Sequence, residues 1–268
     1  MRFIIQICYH YSDQFTIQMQ NISRSFIHDP RARILYVLLL IWIFAVFQNP
    51  GWKNIVFPLF SIAFFSILDL GFLYFKSKKL YYPFSSLVSG LLIGLIIHPS
   101  SGIFAIILAC LFGFISKQFI KYKNHHIFNP AAFGVVISSL ILNFSISWWS
   151  VAPGKIFILL SILSVLVLWK LKRIYMPITF LSGYFIFLAL FQGIKPAISL
   201  TIDGTVIFFA FIMLTEPMTS SISGFWKWAF GLVVLSGVVI SYVLKLSFTD
   251  PLLFSLLFAN LLVRITNK

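Results

Sequence analysis

The sequence is poor in cysteine and in charge. Cys8 and Cys110 are its only cysteines in 268 residues, too few for a four-cysteine iron–sulfur or zinc site. Any redox centre must therefore be an organic cofactor or a group shared with a partner. Charged residues make up only 10% of the chain, against about 25% in soluble domains, which excludes an ordinary water-facing surface.

Acidic residues are especially scarce, with 6 Asp and Glu against 20 Lys and Arg. A net charge of +14 would suggest nucleic-acid binding in a soluble chain. Here 60% of the residues are hydrophobic and the mean hydropathy is +1.00. This composition predicts an all-α polytopic membrane protein.

Ten hydrophobic segments are separated by short polar or basic stretches. Most approach the roughly 20 residues that a membrane span requires, whereas the third and eighth are short. The segments are 33–48, 54–75, 84–97, 102–120, 129–146, 155–169, 174–191, 204–215, 225–244 and 250–263.

The basic residues divide unevenly between the two sides of these segments. In this assignment sixteen of the 20 lie on the same side of the membrane as the amino terminus. The other four, Lys53, Lys155, Lys195 and Lys245, lie on the opposite side. The positive-inside rule then predicts that both termini are cytoplasmic. The basic excess is interpreted as a topology signal, and no nucleic-acid partner is expected. Residues 1–30 lack the features of a signal peptide and are predicted to be a cytoplasmic lead, either interfacial or disordered.

An internal repeat relates the two halves of the chain. Each half has a short apolar segment that ends in proline and hydroxyl residues, and a later segment that begins with Asn-Pro or Asp-Pro. Pro99 matches Pro217 and Pro130 matches Pro251, and the two prolines of each half are 31 residues apart in the first half and 34 in the second. Five spans in each half, over 31–146 and 147–268, predict an inverted repeat with two broken helices.

The broken segments are candidates for a functional site because irregular backbone at membrane depth needs protein or a cavity around it. Asn129 and Asp250, each directly before a proline, predict capped helix starts. Such helix starts favour anionic or electron-rich groups. The alternative interpretation is that the breaks are packing kinks.

Four segments resemble the signature motifs of the NqrB/RnfD family of membrane proteins. They are Ser89–Leu95, Gly113–Gln118, Phe128–Gly134 and Leu214–Ser220, in the family's order, and the resemblance extends from about Arg31 to Ile265. It implies a urea-transporter-like fold and a flavin-carrying membrane component of an ion-translocating NADH:quinone or ferredoxin:NAD oxidoreductase, of the Nqr or Rnf type. It also implies partner subunits and a location in the inner membrane of a prokaryote.

The resemblance implies a flavin, FMN or riboflavin, held near these motifs. The residues expected to contact it are Ser89, Gly90, Lys117, Asn129, Pro130, Thr215, Glu216, Pro217 and Thr219. The family's flavin-linked threonine has no counterpart in Ser147–Gly154, so the flavin is expected to be noncovalent. A glycine-rich stretch of the family is replaced here by Ile120–Ile127, which is interpreted as a solvated cytoplasmic loop; the alternative is that Lys121, Lys123, His125 and His126 contact a flavin phosphate or the acidic face of a partner. Metal binding by the adjacent His125 and His126 is not expected.

Ionisable groups within or at the ends of the spans are candidates for ion or proton handling, since their burial is costly. Asp69, His98 and Asp250 are the predicted pathway residues, and Glu216 is a further candidate. Capping or surface exposure is the alternative for Glu216 and Asp250, and an interfacial imidazole is the alternative for His98. Trp148 and Trp149 are interpreted either as part of an interfacial aromatic belt or as stacking partners of a flavin.

Three functions remain open from the sequence. The leading hypothesis is a membrane electron-transfer subunit that couples electron flow to Na⁺ or H⁺ movement. The second keeps the fold but makes it a channel or transporter for a small polar solute or flavin precursor. The third is an assembly subunit without a ligand. The chain has no glycine-rich dinucleotide motif after a strand, so oxidation of NADH by the chain alone is not expected.

Overall fold

The computed structural model describes residues 29–78, 84–123, 125–151, 173–216, 225–246 and 250–266. Within them the chain is mostly helical, and Lys121–Tyr122 (β1) and His125–His126 (β2) form a two-residue antiparallel hairpin. Short 3-10 turns cover Pro99–Ser101 and Trp149–Val151, and a π turn covers Phe209–Met213. The helices are α1 (Pro30–Gln48), α2 (Trp52–Ser77), α3 (Phe84–Ile96), α4 (Ile103–Phe119), α5 (Pro130–Leu142), α6 (Tyr175–Gln192), α7 (Ile194–Thr201), α8 (Gly204–Phe208), α9 (Trp226–Val243) and α10 (Pro251–Thr266).

Three helices are long and apolar enough to cross a membrane: α1 from Arg31, α2 and α6. A fourth span is possible if α7 and α8 with its π turn are counted together, since they meet at a 53° bend. The remaining long helices are apolar but shorter. The prediction of a helical membrane protein is confirmed, while the predicted segment 155–169 lies outside the described residues.

Helix α7 was not predicted, because Lys195 and Pro196 interrupt the hydropathy between two apolar segments. Gly193, with a φ of 91°, ends α6 and precedes α7. Pro196 is tolerated in the first turn of α7 because amides there have no intrahelical partner. The pairing of Lys121–Tyr122 with His125–His126 was likewise not predicted; His126 is buried and His125 is exposed.

Helix α3 packs against α2 through a stripe of small residues. A Cβ added at Gly90 would lie 2.8 Å from the Ile62 Cα, and one at Gly94 would lie 2.6 Å from the Pro58 Cα. The Ser61 hydroxyl also donates a 2.7 Å hydrogen bond to the Gly90 carbonyl. Small residues spaced by four allow such close helix contact where lipid provides no hydrophobic driving force.

Pro58 lies inside α2 and links that helix to α1. Proline has no N–H, so the carbonyl of Asn54, four residues earlier, loses its usual helical donor. The indole Nε1 of Trp42 in α1 donates to this carbonyl at 2.9 Å. The hydrogen bond that α2 gives up is thereby replaced by one between helices.

The core is centred on α3, which is buried along almost its whole length. Helix α3 contacts α1, α2, α4 and α5. Helices α4 and α5 pack closely, with the Pro130 carbonyl 2.8 Å from where a Cβ on Gly113 would lie. In the second half α9 packs against α6 and α10, and α10 in turn contacts α5.

Candidate functional site

A buried ion pair joins α2 to α4. The Asp69 carboxylate and the Lys117 ammonium are 2.7 Å apart, with side-chain exposures of 2% and 10%. Gln118 Nε2 donates to the other carboxylate oxygen at 2.5 Å, and the Ser86 hydroxyl of α3 also donates to Asp69. We call these four residues the Asp69 cluster. Its carboxylate accepts three hydrogen bonds, which compensates part of the cost of burying the charge.

The spacing of residues along α2 and α3 explains why Ser86 reaches Asp69. Ser61, Phe65 and Asp69 are four residues apart on the buried side of α2. Ser86, Gly90 and Gly94 have the same spacing on α3, and residues i and i+4 share a helix face. The close contact at Gly90 therefore brings the Ser86 hydroxyl and the carboxylate together.

Further charged groups surround the cluster. Glu216 interacts electrostatically with both Lys117 and Arg173, and Arg31 interacts with Lys117. Arg31 and Glu216 also line one small cavity together with Ser85. Lys121, whose Nζ donates to Gln118 at 3.1 Å, extends the network towards the hairpin.

Arg173 remains a cation although it is buried. Burial lowers its pKa to about 10, and the Glu216 carboxylate opposes this shift. The guanidinium is therefore protonated at neutral pH. Its Nη1 donates to the carbonyl oxygens of Thr215 at 3.4 Å and of Glu216 at 3.2 Å, which fixes the end of the π-turn segment.

A second polar site lies at the break after α3, and we call Trp148, Trp149 and Asp250 the tryptophan junction. Trp148 Nε1 donates to the Asp250 carboxylate at 2.5 Å, and Trp149 Nε1 donates to the Gly94 carbonyl at 2.9 Å. The Trp148 amide also donates to the Ile96 carbonyl. The junction thus links the end of α3 to the start of α10.

The two predicted helix starts are confirmed. Asn129 Oδ1 accepts from the Ala132 amide at 3.0 Å, and α5 begins at Pro130. Asp250 Oδ1 accepts from the Leu253 amide at 3.0 Å, and α10 begins at Pro251. Both capping residues are buried. Among the described residues, the Asn129 Nδ2 has no hydrogen-bond partner.

Other predicted contact residues are engaged within the protein. Ser89 donates to the Ser85 carbonyl at 2.9 Å, and Thr215 donates to the Phe211 carbonyl at 2.7 Å. Gly90 faces α2, and Lys117 donates to Asp69 at 2.7 Å and to Ser86 at 3.4 Å. Pro217 and Thr219 lie outside the described residues.

His98 caps the 3-10 turn that follows α3. Its Nδ1 accepts from the Ser100 amide at 3.0 Å and lies 2.7 Å from the Ser100 hydroxyl. The imidazole also meets the Trp149 ring edge to face, with centroids 6.5 Å apart. His98 therefore belongs to the edge of the tryptophan junction and is separate from the Asp69 cluster in its bonding.

Sequence reasoning did not predict Ser86 and gave no individual role to Gln118. For Ser86, the signal in the sequence was the four-residue spacing of small residues at positions 86, 90 and 94. For the Asp69–Lys117 pair the signal was that two opposite charges lie within predicted spans, where ionisable groups usually pair.

The Asp69 cluster combines a carboxylate, an ammonium and a hydroxyl in one hydrogen-bonded unit. Proton transfer from Lys117 to Asp69 along their 2.7 Å hydrogen bond would neutralise both groups, and this is the chemistry that the arrangement offers. Comparison with models of known protein families gives no match, and neither does comparison with curated proteins.

Proposed function

We propose that the chain is the membrane electron-transfer subunit of an Rnf- or Nqr-like ion-translocating oxidoreductase. In this proposal it holds a noncovalent flavin and acts with membrane and cytoplasmic partner subunits. It has ten spans in a 5+5 inverted repeat, lies in the inner membrane of a prokaryote and keeps both termini in the cytoplasm. Electron flow through the flavin is coupled to Na⁺ or H⁺ movement.

The observation that carries this proposal is the excess of positive charge around the Asp69 cluster and the Thr215–Glu216 segment. Two carboxylates, Asp69 and Glu216, are accompanied there by five cations. The cations are Arg31, Lys76, Lys117, Lys121 and Arg173. Such a site favours an anionic ligand group. This supports FMN, whose phosphate is anionic, over riboflavin.

The coupling part of the proposal uses the Asp69 cluster. A charge that develops on a reduced flavin nearby would alter the balance between the ion-paired and neutral forms of Asp69 and Lys117. The broken segments that end at His98 and Glu216 supply the cavity-lining backbone that such a mechanism needs. In this proposal the role of Asp250 is to hold the Trp148 indole in place through the hydrogen bond between them.

The test is the visible absorbance of the protein purified in mild detergent, before and after denaturation. Flavin absorbance that leaves with the small molecules supports the proposal, whereas a colourless, folded protein that does not take up added FMN contradicts it. Replacing the exposed Lys121 by Gln should raise the Kd for FMN by about fivefold, or ~1 kcal/mol for one partly exposed charge. The matched control is Lys53→Gln, also exposed but on the first turn of α2.

A second candidate, transport of a small polar solute, is favoured by one observation on α10. Asn260 is fully buried, and among the described residues neither its Oδ1 nor its Nδ2 has a hydrogen-bond partner. Uncharged polar side chains also occupy the buried side of α5, at Ser138 and Ser139. Because α5 and α10 are in contact, a neutral hydrogen-bonding solute would find donors and acceptors between them.

Solute flux into proteoliposomes tests this second candidate. Influx of a small neutral amide that Asn260→Leu abolishes, in a protein that binds no flavin, would favour transport over electron transfer. Equal flux in wild-type proteoliposomes and in empty liposomes, or wild-type flux in the Asn260→Leu variant, would exclude it. Ser236→Ala, at an exposed position of α9, is the control.

A further inference from the structure

A groove between helices of the second half has the size and lining of a binding site for an amphiphilic molecule. It has a volume of about 540 Å³, within the roughly 300–1,000 Å³ typical of small-molecule sites. Helices α6, α7 and α9 and the start of α10 form its walls. Its apolar lining consists of Phe187, Leu188, Leu200, Val238, Leu246 and Leu252.

Three polar side chains of the groove, Gln192, Tyr242 and Lys245, lie at the ends of α6 and α9. Gln192 is the last residue of α6, and Lys245 follows the end of α9 by two residues. Gln192 Nε2 lies 3.4 Å from the Tyr242 hydroxyl. Tyr242 and Lys245 are both exposed. Helix ends are where the interface of a bilayer lies, so the groove is polar at the interface and apolar towards the hydrocarbon.

We propose that this groove binds one anionic phospholipid, with an acyl chain along the apolar lining supplied by α6, α7, α9 and the start of α10 and the phosphate at Lys245. Charge complementarity selects the occupant, since Lys245 is the cationic side chain that lines the groove. Tyr242 and Gln192 supply hydrogen-bond donors to the phosphate oxygens. The Phe187 ring meets Tyr242 edge to face, with centroids 5.4 Å apart. It forms an aromatic wall against which the acyl chain of the lipid would pack.

The proposal does not depend on any redox or transport activity. None of the groove residues belongs to the Asp69 cluster, and the groove meets the tryptophan junction at Pro251 and Leu252, the two residues after Asp250. Lipid at this position would instead stabilise the start of α10 and its packing against α9.

Native mass spectrometry tests the proposal. Delipidated full-length protein is incubated with equal amounts of phosphatidylglycerol and phosphatidylcholine, and bound lipids are counted. The wild type should retain one phosphatidylglycerol in preference to phosphatidylcholine. Lys245→Gln should reduce that preference about fivefold, the factor that one basic residue near a membrane surface contributes. Lys195→Gln, an exposed lysine on α7 outside the groove, should leave it unchanged.

Blocking the groove provides an independent arm. Ser241→Phe on α9 should remove the retained lipid. Because Ser241 is buried, Leu200→Trp on α7, at a position that is 40% exposed, is the second blocking variant and should give the same loss in a protein that still elutes as the wild type does. Equal retention of both lipids by the wild type, or a preference that survives Lys245→Gln, would overturn the proposal.

Discussion

The indole Nε1 of Trp148 donates a 2.5 Å hydrogen bond to the carboxylate of Asp250, 102 residues further along the chain. The same carboxylate caps α10 through the Leu253 amide. The Trp148 ring also meets Phe208 and Phe209 edge to face, with centroids 5.9 and 6.5 Å away. One side chain thus ties the break after α3 to the start of α10 and to the π turn.

Trp148→Phe should destabilise the protein by about 1–3 kcal/mol, the cost of leaving a buried acceptor without its donor. Phenylalanine keeps most of the ring contacts but leaves Asp250 without its indole donor. Thermal unfolding in detergent measures the loss. Trp52→Phe, at a position that is 66% exposed, should change stability by less than about 0.5 kcal/mol. Equal effects of the two substitutions would show that the hydrogen bond is not stabilising.

The Asp69–Lys117 pair predicts a strong non-additivity. Asp69→Asn or Lys117→Met alone should each cost about 3–5 kcal/mol, because each leaves a buried charge without its partner. The double variant should cost clearly less than the sum of the two single variants. A double-mutant cycle by chemical unfolding measures the coupling. Asp203→Asn is the control, since Asp203 is exposed and asparagine also caps a helix start. Additive losses would contradict a direct pairing.

Gly94→Ala should destabilise the protein by about 1–3 kcal/mol, the usual cost of overpacking a core. Its Cβ would lie 2.6 Å from the Pro58 Cα, a backbone atom that cannot move without shifting α2. Gly71→Ala on α2 is the matched control, because nothing lies within 4 Å of its added Cβ. That change should stabilise by up to about 1 kcal/mol through helix propensity. Differential scanning calorimetry in one detergent compares them, and a neutral Gly94→Ala would refute close packing of α2 and α3.

Asn129→Ala should cost about 0.5–2 kcal/mol through loss of the cap on α5. Asn129→Ser should retain most of the stability, since serine also accepts from the third helical amide. Hydrogen exchange of the first turn of α5 reports the effect locally, with faster exchange expected in the alanine variant alone. Similar protection in both variants would indicate that packing around Pro130, rather than the cap, holds this helix start.

The sequence allowed the helix starts at Asn129 and Asp250 to be predicted because capping is local chemistry. Most helix boundaries also follow from hydropathy within a few residues, whereas α7 was missed because Lys195 and Pro196 obscure it. The ten spans and the inverted repeat stay predictions. The bonds of the Asp69 cluster and of the tryptophan junction join residues 17 to 102 positions apart. Hydropathy locates segments in such a chain, but it does not say which helix faces meet.

The hydrogen bond from Trp42 to the Asn54 carbonyl, left open by Pro58, also bears on how the protein is made. Its two partners are 12 residues apart, so both are present once the first two helices have been synthesised. Domains and helical hairpins can form during synthesis, from the amino terminus onwards. Helices α1 and α2 can therefore leave the insertion machinery as a hydrogen-bonded hairpin. Ser61 and Pro58 of α2 then form the surface against which Gly90 and Gly94 of α3 pack. The proline that removes one hydrogen bond from α2 is thus also the reason why the first two helices can be joined early.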